Sequence, residues 1–210
     1  MATTKPRLLD EFGMSEPHEI DAEGSSSSSM NSGVLPAQWI RQAIERGMIS
    51  SASTFDEDQI QPASLDLRLG STAVRVRASF LPGSSHTVEK KLTHLQQHEI
   101  DLRQGAVLER GGVYVVKLQE SLQLQKSVAA AANPKSSTGR LDVFTRLIVD
   151  QAEVFDTVEA GYKGPLWAEI SPKTFSIKVS TGSRLNQIRF RRLNSMQLQH
   201  KTFRLSDRAL

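Results

Sequence analysis

Apolar and polar positions change rhythm along this chain, and the changes mark its elements. Residues 1–33 show no apolar period. From Val34, Trp39, Ile40, Ala43 and Ile44 recur at helical spacing, Pro36 stands at a tolerated first-turn position, and Gly47 suits a C′ position. This predicts a short amphipathic helix over 36–46, with Trp39 in the core. The period then falls to two. Leu65, Leu67 and Leu69 alternate with Asp66 and Arg68, and Gly70 is expected to end that strand. Val74, Val76 and Ala78 alternate with Arg75 and Arg77. Further strands are predicted over 113–118, 122–124, 144–149, 166–170, 175–179 and 185–190. Turn signals separate them at Pro82-Gly83, Gly111-Gly112, Gly161, Gly164-Pro165 and Thr181-Gly182. Residues 83–99 are polar and irregular, and read as an exposed excursion. Many short strands with regular turns mean a mainly-β chain, a barrel or sandwich with one or two short helices.

Composition narrows the picture. The 210 residues suffice for one domain with tails. Residues 1–33 form a leader of linker composition, with Gly24 followed by Ser25 to Ser29. Its acids Asp10, Glu11, Glu16, Glu19, Asp21 and Glu23 argue against a transit peptide, and it lacks a signal-like apolar core. Residues 34–192 carry the domain, and 193–210 form a basic tail. Arg184, Arg189, Arg191, Arg192, Lys201, Arg204 and Arg208 are basic, but no aromatic platform accompanies them and the net charge is only +3, so no nucleic-acid partner is expected. No apolar run is long enough to span a membrane. The absence of cysteine excludes disulfides and thiolate metal sites and fits a cytoplasmic protein. His94 and His98 have i,i+4 spacing but no third ligand, so a metal site is not expected there.

Candidate chemistry concentrates in two places. Residues 133–140, Asn-Pro-Lys-Ser-Ser-Thr-Gly-Arg, follow four alanines and place Lys135, Ser136, Ser137, Thr138, Gly139 and Arg140 together. Hydroxyls, an ammonium, a guanidinium fork and a glycine suit an anion such as phosphate. The same residues equally suit a capped helix start, with Ser136 or Ser137 as N-cap and Gly139 in the turn. The second place is Glu169, a lone carboxylate in the apolar stretch Leu166-Trp167-Ala168-Glu169-Ile170. Period two puts it on the face of Trp167, opposite Ala168 and Ile170. Either burial makes it a base with a raised pKa, or it faces solvent.

Four segments together resemble the dCTP deaminase branch of the dUTPase-like superfamily. They are Gln61-Pro62-Ala63-Ser64-Leu65-Asp66-Leu67-Arg68-Leu69-Gly70, the Lys135–Arg140 segment, Glu159-Ala160-Gly161-Tyr162-Lys163-Gly164 leading to Trp167-Ala168-Glu169, and Gly182-Ser183-Arg184-Leu185-Asn186-Gln187-Ile188. The wording is most similar to the N-terminal half of a double-length bacterial form, and the chain reads as such a half, stand-alone or truncated. The resemblance implies a distorted, jelly-roll-like β-barrel, a homotrimer with sites between subunits, and hydrolytic deamination of dCTP to dUTP and ammonia. It implies that Glu169 activates water without zinc, with Ser136 and Arg140 as its catalytic partners. Lys135, Ser137, Thr138 and Gly139 would cradle a triphosphate that carries Mg²⁺. Glu159, Tyr162, Trp167, Ala168 and Gln187 would line the nucleoside site. Lys135 and Glu159 depart from the family's Arg and Asp. The alternatives implied are dUTP diphosphatase, or a non-catalytic assembly half of a fused deaminase.

Overall fold

The structure, a computed structural model, describes residues 32–194, so the expectations for the leader and for residues 195–210 lie outside the described residues. The elements in order are β1 (Gly33–Val34), α1 (Ala37–Glu45), β2 (Ile49–Ser51), β3 (Ile60–Gln61), β4 (Ser64–Val76), α2 (Val88–Leu95), β5 (Gln96–Asp101), β6 (Ala106–Leu108) and β7 (Val113–Gln123). They continue with β8 (Val128–Pro134), α3 (Ser136–Arg140), β9 (Val143–Val149), β10 (Thr157–Val158), β11 (Lys163–Pro172), β12 (Ile177–Val179) and β13 (Arg184–Arg192). The main sheet runs β10-β8-β13-β4-β7-β11-β9, and β8 and β10 lie against β9, so the sheet nearly closes on itself. The mainly-β, barrel-like architecture expected from the sequence is the one observed.

Each apolar alternation supplies one wall of the interior. Leu65, Leu67 and Leu69 of β4, Leu166, Ala168 and Ile170 of β11, and Ile188 and Phe190 of β13 converge on one core. Helix α1 adds Ile40 and Ala43 to it, and Trp39 stacks obliquely on Phe190 at 5.3 Å. A second apolar layer forms on the outer face. There α2 sets Val88 and Leu92 over Val74, Val76, Val115, Ile148 and Trp167. β11 is therefore buried on both faces.

The structure corrects boundary expectations and adds β8, for which none was made; the strands expected over 113–118 and 122–124 are one, β7. Gly70 does not end a strand: β4 runs through it with a register shift between Leu69 and Ala73. A Cβ at Gly70 would stand 2.5 Å from the Lys117 carbonyl oxygen, so glycine is there for close backbone approach. Residues 83–99 are not irregular. They hold α2, N-capped by the Thr87 hydroxyl on the Lys90 amide at 3.2 Å, and most of β5, a polar edge strand paired with β4. His94 thus ends a helix while His98 lies in a strand, so helical spacing never brings the two rings together. The alanines at 129–132 form β8, paired with β13 and β10. Ala130 and Ala132 turn inward, an alternation that a run of identical residues conceals.

One buried ionic network ties the entry segment to the barrel. Glu120 of β7 is 1% exposed and Arg68 of β4 is 3% exposed. Glu120 Oε1 accepts from Arg68 Nε at 2.9 Å and Gln59 Nε2 at 2.8 Å, and Oε2 accepts from the Arg68 amide at 2.9 Å. Arg68 Nη1 donates to the Thr54 carbonyl at 2.7 Å and Nη2 to Ser51 Oγ at 2.8 Å. Every charge is satisfied, so the cost of breaking the pair lies in the orphaned partner. Glu120→Ala is expected to lose about 3–5 kcal/mol of stability. The double change Arg68→Met with Glu120→Leu is expected to cost less than that single one. Urea unfolding of the wild type and the two variants checks this, and a double variant that loses as much as Glu120→Ala or more contradicts it.

Candidate functional site

β11 presents Trp167, Glu169 and Ser171 on its outer face because side chains alternate along a strand. All three are buried, and Trp167 Nε1, Glu169 Oε2 and Ser171 Oγ have no hydrogen-bond partner among the described residues. Buried polar atoms are nearly always paired, so such a row at alternate positions of one strand makes it a candidate functional surface.

Glu169 is the centre of that row. Antiparallel pairing of β11 with β9 sets Arg146 directly opposite it, and β7 sets Val115 on its other side. Arg146 Nη2 and Nε donate to Glu169 Oε1 at 2.6 and 3.2 Å. Nη2 also donates to Ser79 Oγ at 2.7 Å. The guanidinium lies 3.5 Å from the Phe155 ring centroid and 4.8 Å from that of Phe144. One carboxylate oxygen is thus anchored while the other stays a free acceptor. Asp156, before β10, belongs to the same neighbourhood. Its Oδ1 accepts from the Leu147 amide at 2.7 Å. Burial pushes its carboxyl up from the ordinary aspartate value, against the opposing pull of that hydrogen bond and of Arg146.

The segment around α3 forms a separate group. Lys135 takes the N-cap position but gives no side-chain cap, and neither Ser136 nor Ser137 is the N-cap. Ser136, Ser137, Gly139 and Arg140 are exposed. Thr138 is not: it is buried, and its hydroxyl donates to the Leu185 carbonyl at 3.0 Å, fastening α3 to β13. The Lys135 ammonium pairs with Asp66 of β4. Asp66 stands opposite Gln187 of β13, and Gln187 Oε1 accepts from Ser64 Oγ at 3.0 Å. Lys135 and Gln187 therefore share one polar cluster, organised by a buried aspartate.

The remaining expected residues scatter. Ala168 points into the barrel core, opposite Glu169. The Tyr162 hydroxyl donates to the Pro165 carbonyl at 2.7 Å and accepts from the Asp150 amide at 3.3 Å, and burial raises its phenol pKa. It braces the turn, and a Cβ at Gly164 would meet that hydroxyl at 2.6 Å. Glu159 borders a cavity of about 480 Å³ with Arg189 and Arg191. Trp167 also lines a larger cavity, about 990 Å³, beside α2, with Lys117 Nζ 5.5 Å from its ring centroid. No hydrogen bond or ion pair joins Ser136 or Arg140 to Glu169 among the described residues. Sequence reasoning missed Arg146, Ser79, Asp66 and Asp156. Arg146 carried a signal, since it is the lone charge in an apolar strand, as Glu169 is.

Comparisons with known proteins agree with this architecture. The family described as the 2′-deoxycytidine 5′-triphosphate deaminase N-terminal domain matches residues 31–194. A crystal structure of 2′-deoxycytidine 5′-triphosphate deaminase from Agrobacterium tumefaciens is similar at 57% identity and TM-score 0.75, covering 77% of this chain and 49% of that one. The chain thus spans about half the length of that relative. A dCTP deaminase of Natronomonas pharaonis is 24% identical over 159 residues, 74% of this chain and 78% of the relative. A dUMP-forming dCTP deaminase of Thermobifida fusca is 28% identical over 158 residues, 74% of this chain and 76% of the relative. No helix among the described residues is long and apolar enough to cross a membrane.

The raised carboxyl of Asp156 has a consequence for stability. A carboxyl whose folded pKa lies above its unfolded one favours folding while protonated and loses that contribution as pH rises through the folded value. Asp156→Asn keeps the acceptor for Leu147, and Asn tolerates the local φ of 60°. The variant is expected to be more stable than the wild type at neutral pH, with the gap closing below about pH 4. Urea midpoints at both pH values check this; a gap independent of pH assigns the effect to something other than charge.

Proposed function

Because the chain belongs to the 2′-deoxycytidine 5′-triphosphate deaminase N-terminal domain family, we propose that it takes part in hydrolytic deamination of dCTP to dUTP and ammonia, with Glu169 as general base and then acid. The observation that carries the reading is the asymmetry of Glu169: Oε1 is held by Arg146, and Oε2 is buried and unpartnered among the described residues. In the proposed reaction Oε2 takes a proton from water as its oxygen bonds to C4 of cytosine. The same oxygen returns a proton to the departing amine as the C4–N bond breaks. A general base placed this way contributes about 10²–10⁴ in rate.

The exposed donors of α3 support a role with the triphosphate. The Ser136 and Ser137 hydroxyls and the Arg140 guanidinium are all solvent-facing, and Lys135 stands beside them on Asp66. This donor set suits phosphate oxygens, with Mg²⁺ carried by the nucleotide rather than by a protein cage. Thr138 and Ala168 contribute through the backbone they hold in place, since their side chains point inward. Glu159, Tyr162, Trp167 and Gln187 remain the proposed nucleoside-side residues. Among the described residues no hydrogen bond or ion pair joins α3 to Glu169, so the proposal includes assembly as a homotrimer, in which α3 of one subunit meets β11 of the next.

A second reading follows from the names of the relatives, several of which are dUMP-forming deaminases. Product analysis separates dUTP from dUMP with pyrophosphate. A third, an assembly half without its own turnover, draws on the 49% coverage of the Agrobacterium chain.

The test measures ammonia and nucleotide products from dCTP with Mg²⁺, for the wild type and Glu169→Gln. The wild type is expected to be active, and Glu169→Gln to lose at least about a hundredfold in rate. Equal rates move the base elsewhere. A folded wild type that binds dCTP without turnover supports the assembly half instead.

A further inference from the structure

Arginine commonly meets a carboxylate as a fork, one N–H to each oxygen. Arg146 does not: both Nε and Nη2 converge on Oε1 of Glu169, and Oε2 receives nothing. The guanidinium cannot readily slide into the forked arrangement. Nη2 is also bonded to Ser79 Oγ at 2.7 Å, and the plane is held against Phe155 at 3.5 Å and Phe144 at 4.8 Å. Its lateral position is set by the backbone register, because Arg146 and Glu169 are direct partners of β9 and β11.

We infer that Arg146 is a positioning residue for the deamination: it fixes Glu169 Oε1 and thereby reserves Oε2 as the oxygen that exchanges protons with water and the leaving amine. This deepens the proposed function and rests on Glu169 being the base. Two N–H groups on Oε1 use up its lone pairs and stop the carboxylate from rotating. The proton that Glu169 carries between the two halves of the reaction then has one place to sit. Asp156, in the connection between β9 and β10, is a further titratable group beside this pair. β7 supplies the apolar Val115 next to Glu169, and its Lys117 is placed over Trp167. Ser79, on the connection between β4 and α2, accepts from the same Nη2 that holds Glu169 and so shares in the positioning.

The test uses the full chain with Arg146→Met, Arg146→Lys and Arg146→Ala. Its readouts are kcat and KM for dCTP. Arg146→Met is expected to lower kcat at neutral pH by at least about a hundredfold, with little change in KM. Arg146→Lys keeps the charge but not the two-to-one geometry, so it is expected to stay well below the wild type. Added guanidinium ion is expected to restore rate in Arg146→Ala and not in Arg146→Met, whose side chain fills the space. A purely structural role gives no such rescue.

Unchanged or increased kcat in Arg146→Met, in a wild type that deaminates dCTP, overturns the inference. So does a failure of guanidinium ion to restore rate in Arg146→Ala. If Arg146→Met does not fold, wild-type kcat in Arg146→Lys overturns it in the same way. A wild type without deaminase activity defeats the proposed function and, with it, the inference; unchanged kcat in Arg146→Met of an active wild type defeats the inference alone.

Discussion

Burial of β11 on both faces is the constraint on which the rest of this structure depends. On the inner face, Leu166, Ala168 and Ile170 close the barrel core. On the outer face, Trp167 lies under α2 among Val74, Val76, Val115 and Ile148. A strand so placed leaves no room for an uncompensated charge, because an isolated carboxylate in apolar surroundings is strongly penalised. Glu169 is nevertheless there. The fold meets the penalty with a direct cross-strand arginine, which is itself held by Ser79 and two phenylalanine rings.

The same logic recurs at Asp66 and Glu120. Each is a buried carboxylate in a central strand, and each meets a cation: Lys135 for Asp66 and Arg68 for Glu120. Their environments differ in how completely the oxygens are used. Glu120 has both oxygens bonded, to Gln59 and to Arg68 through its side chain and its amide. Glu169 has one. Complete satisfaction suits a structural lock, and a deliberate vacancy suits chemistry. That contrast within one barrel separates the network holding the entry segment from the site proposed to act on substrate.

Two groups of candidate residues stand on different parts of one chain. α3 carries its donors outward, next to β13 and β9, while Glu169 sits on the outer face of β11. Among the described residues no hydrogen bond or ion pair joins the two groups. The exposed apolar side chains at that end, Leu141 at 51% and Phe144 at 43%, suit contact with another protein surface better than contact with water.

Much of this was legible in the order of residues. Period-two alternation located β4, β7, β9, β11 and β13, because half-buried strands must alternate. The helical spacing of Trp39, Ile40, Ala43 and Ile44 located α1. The parity argument placed Glu169 beside Trp167 and opposite Ala168, as the strand then showed. Other features had no local signature. The alanines of β8 alternate in burial but not in identity, and the polar β5 has no apolar face to betray it. Gly70 reads as a strand end until the Lys117 carbonyl is seen against it. Above all, which residue lies across from Glu169 is a matter of register between strands 23 positions apart. Side-chain period tells a strand which way each residue faces, but not which neighbour it meets. The sequence alone therefore determined that a carboxylate would stand in an apolar strand; only the tertiary pairing of β9 with β11 decided that Arg146 holds one of its oxygens and leaves the other free.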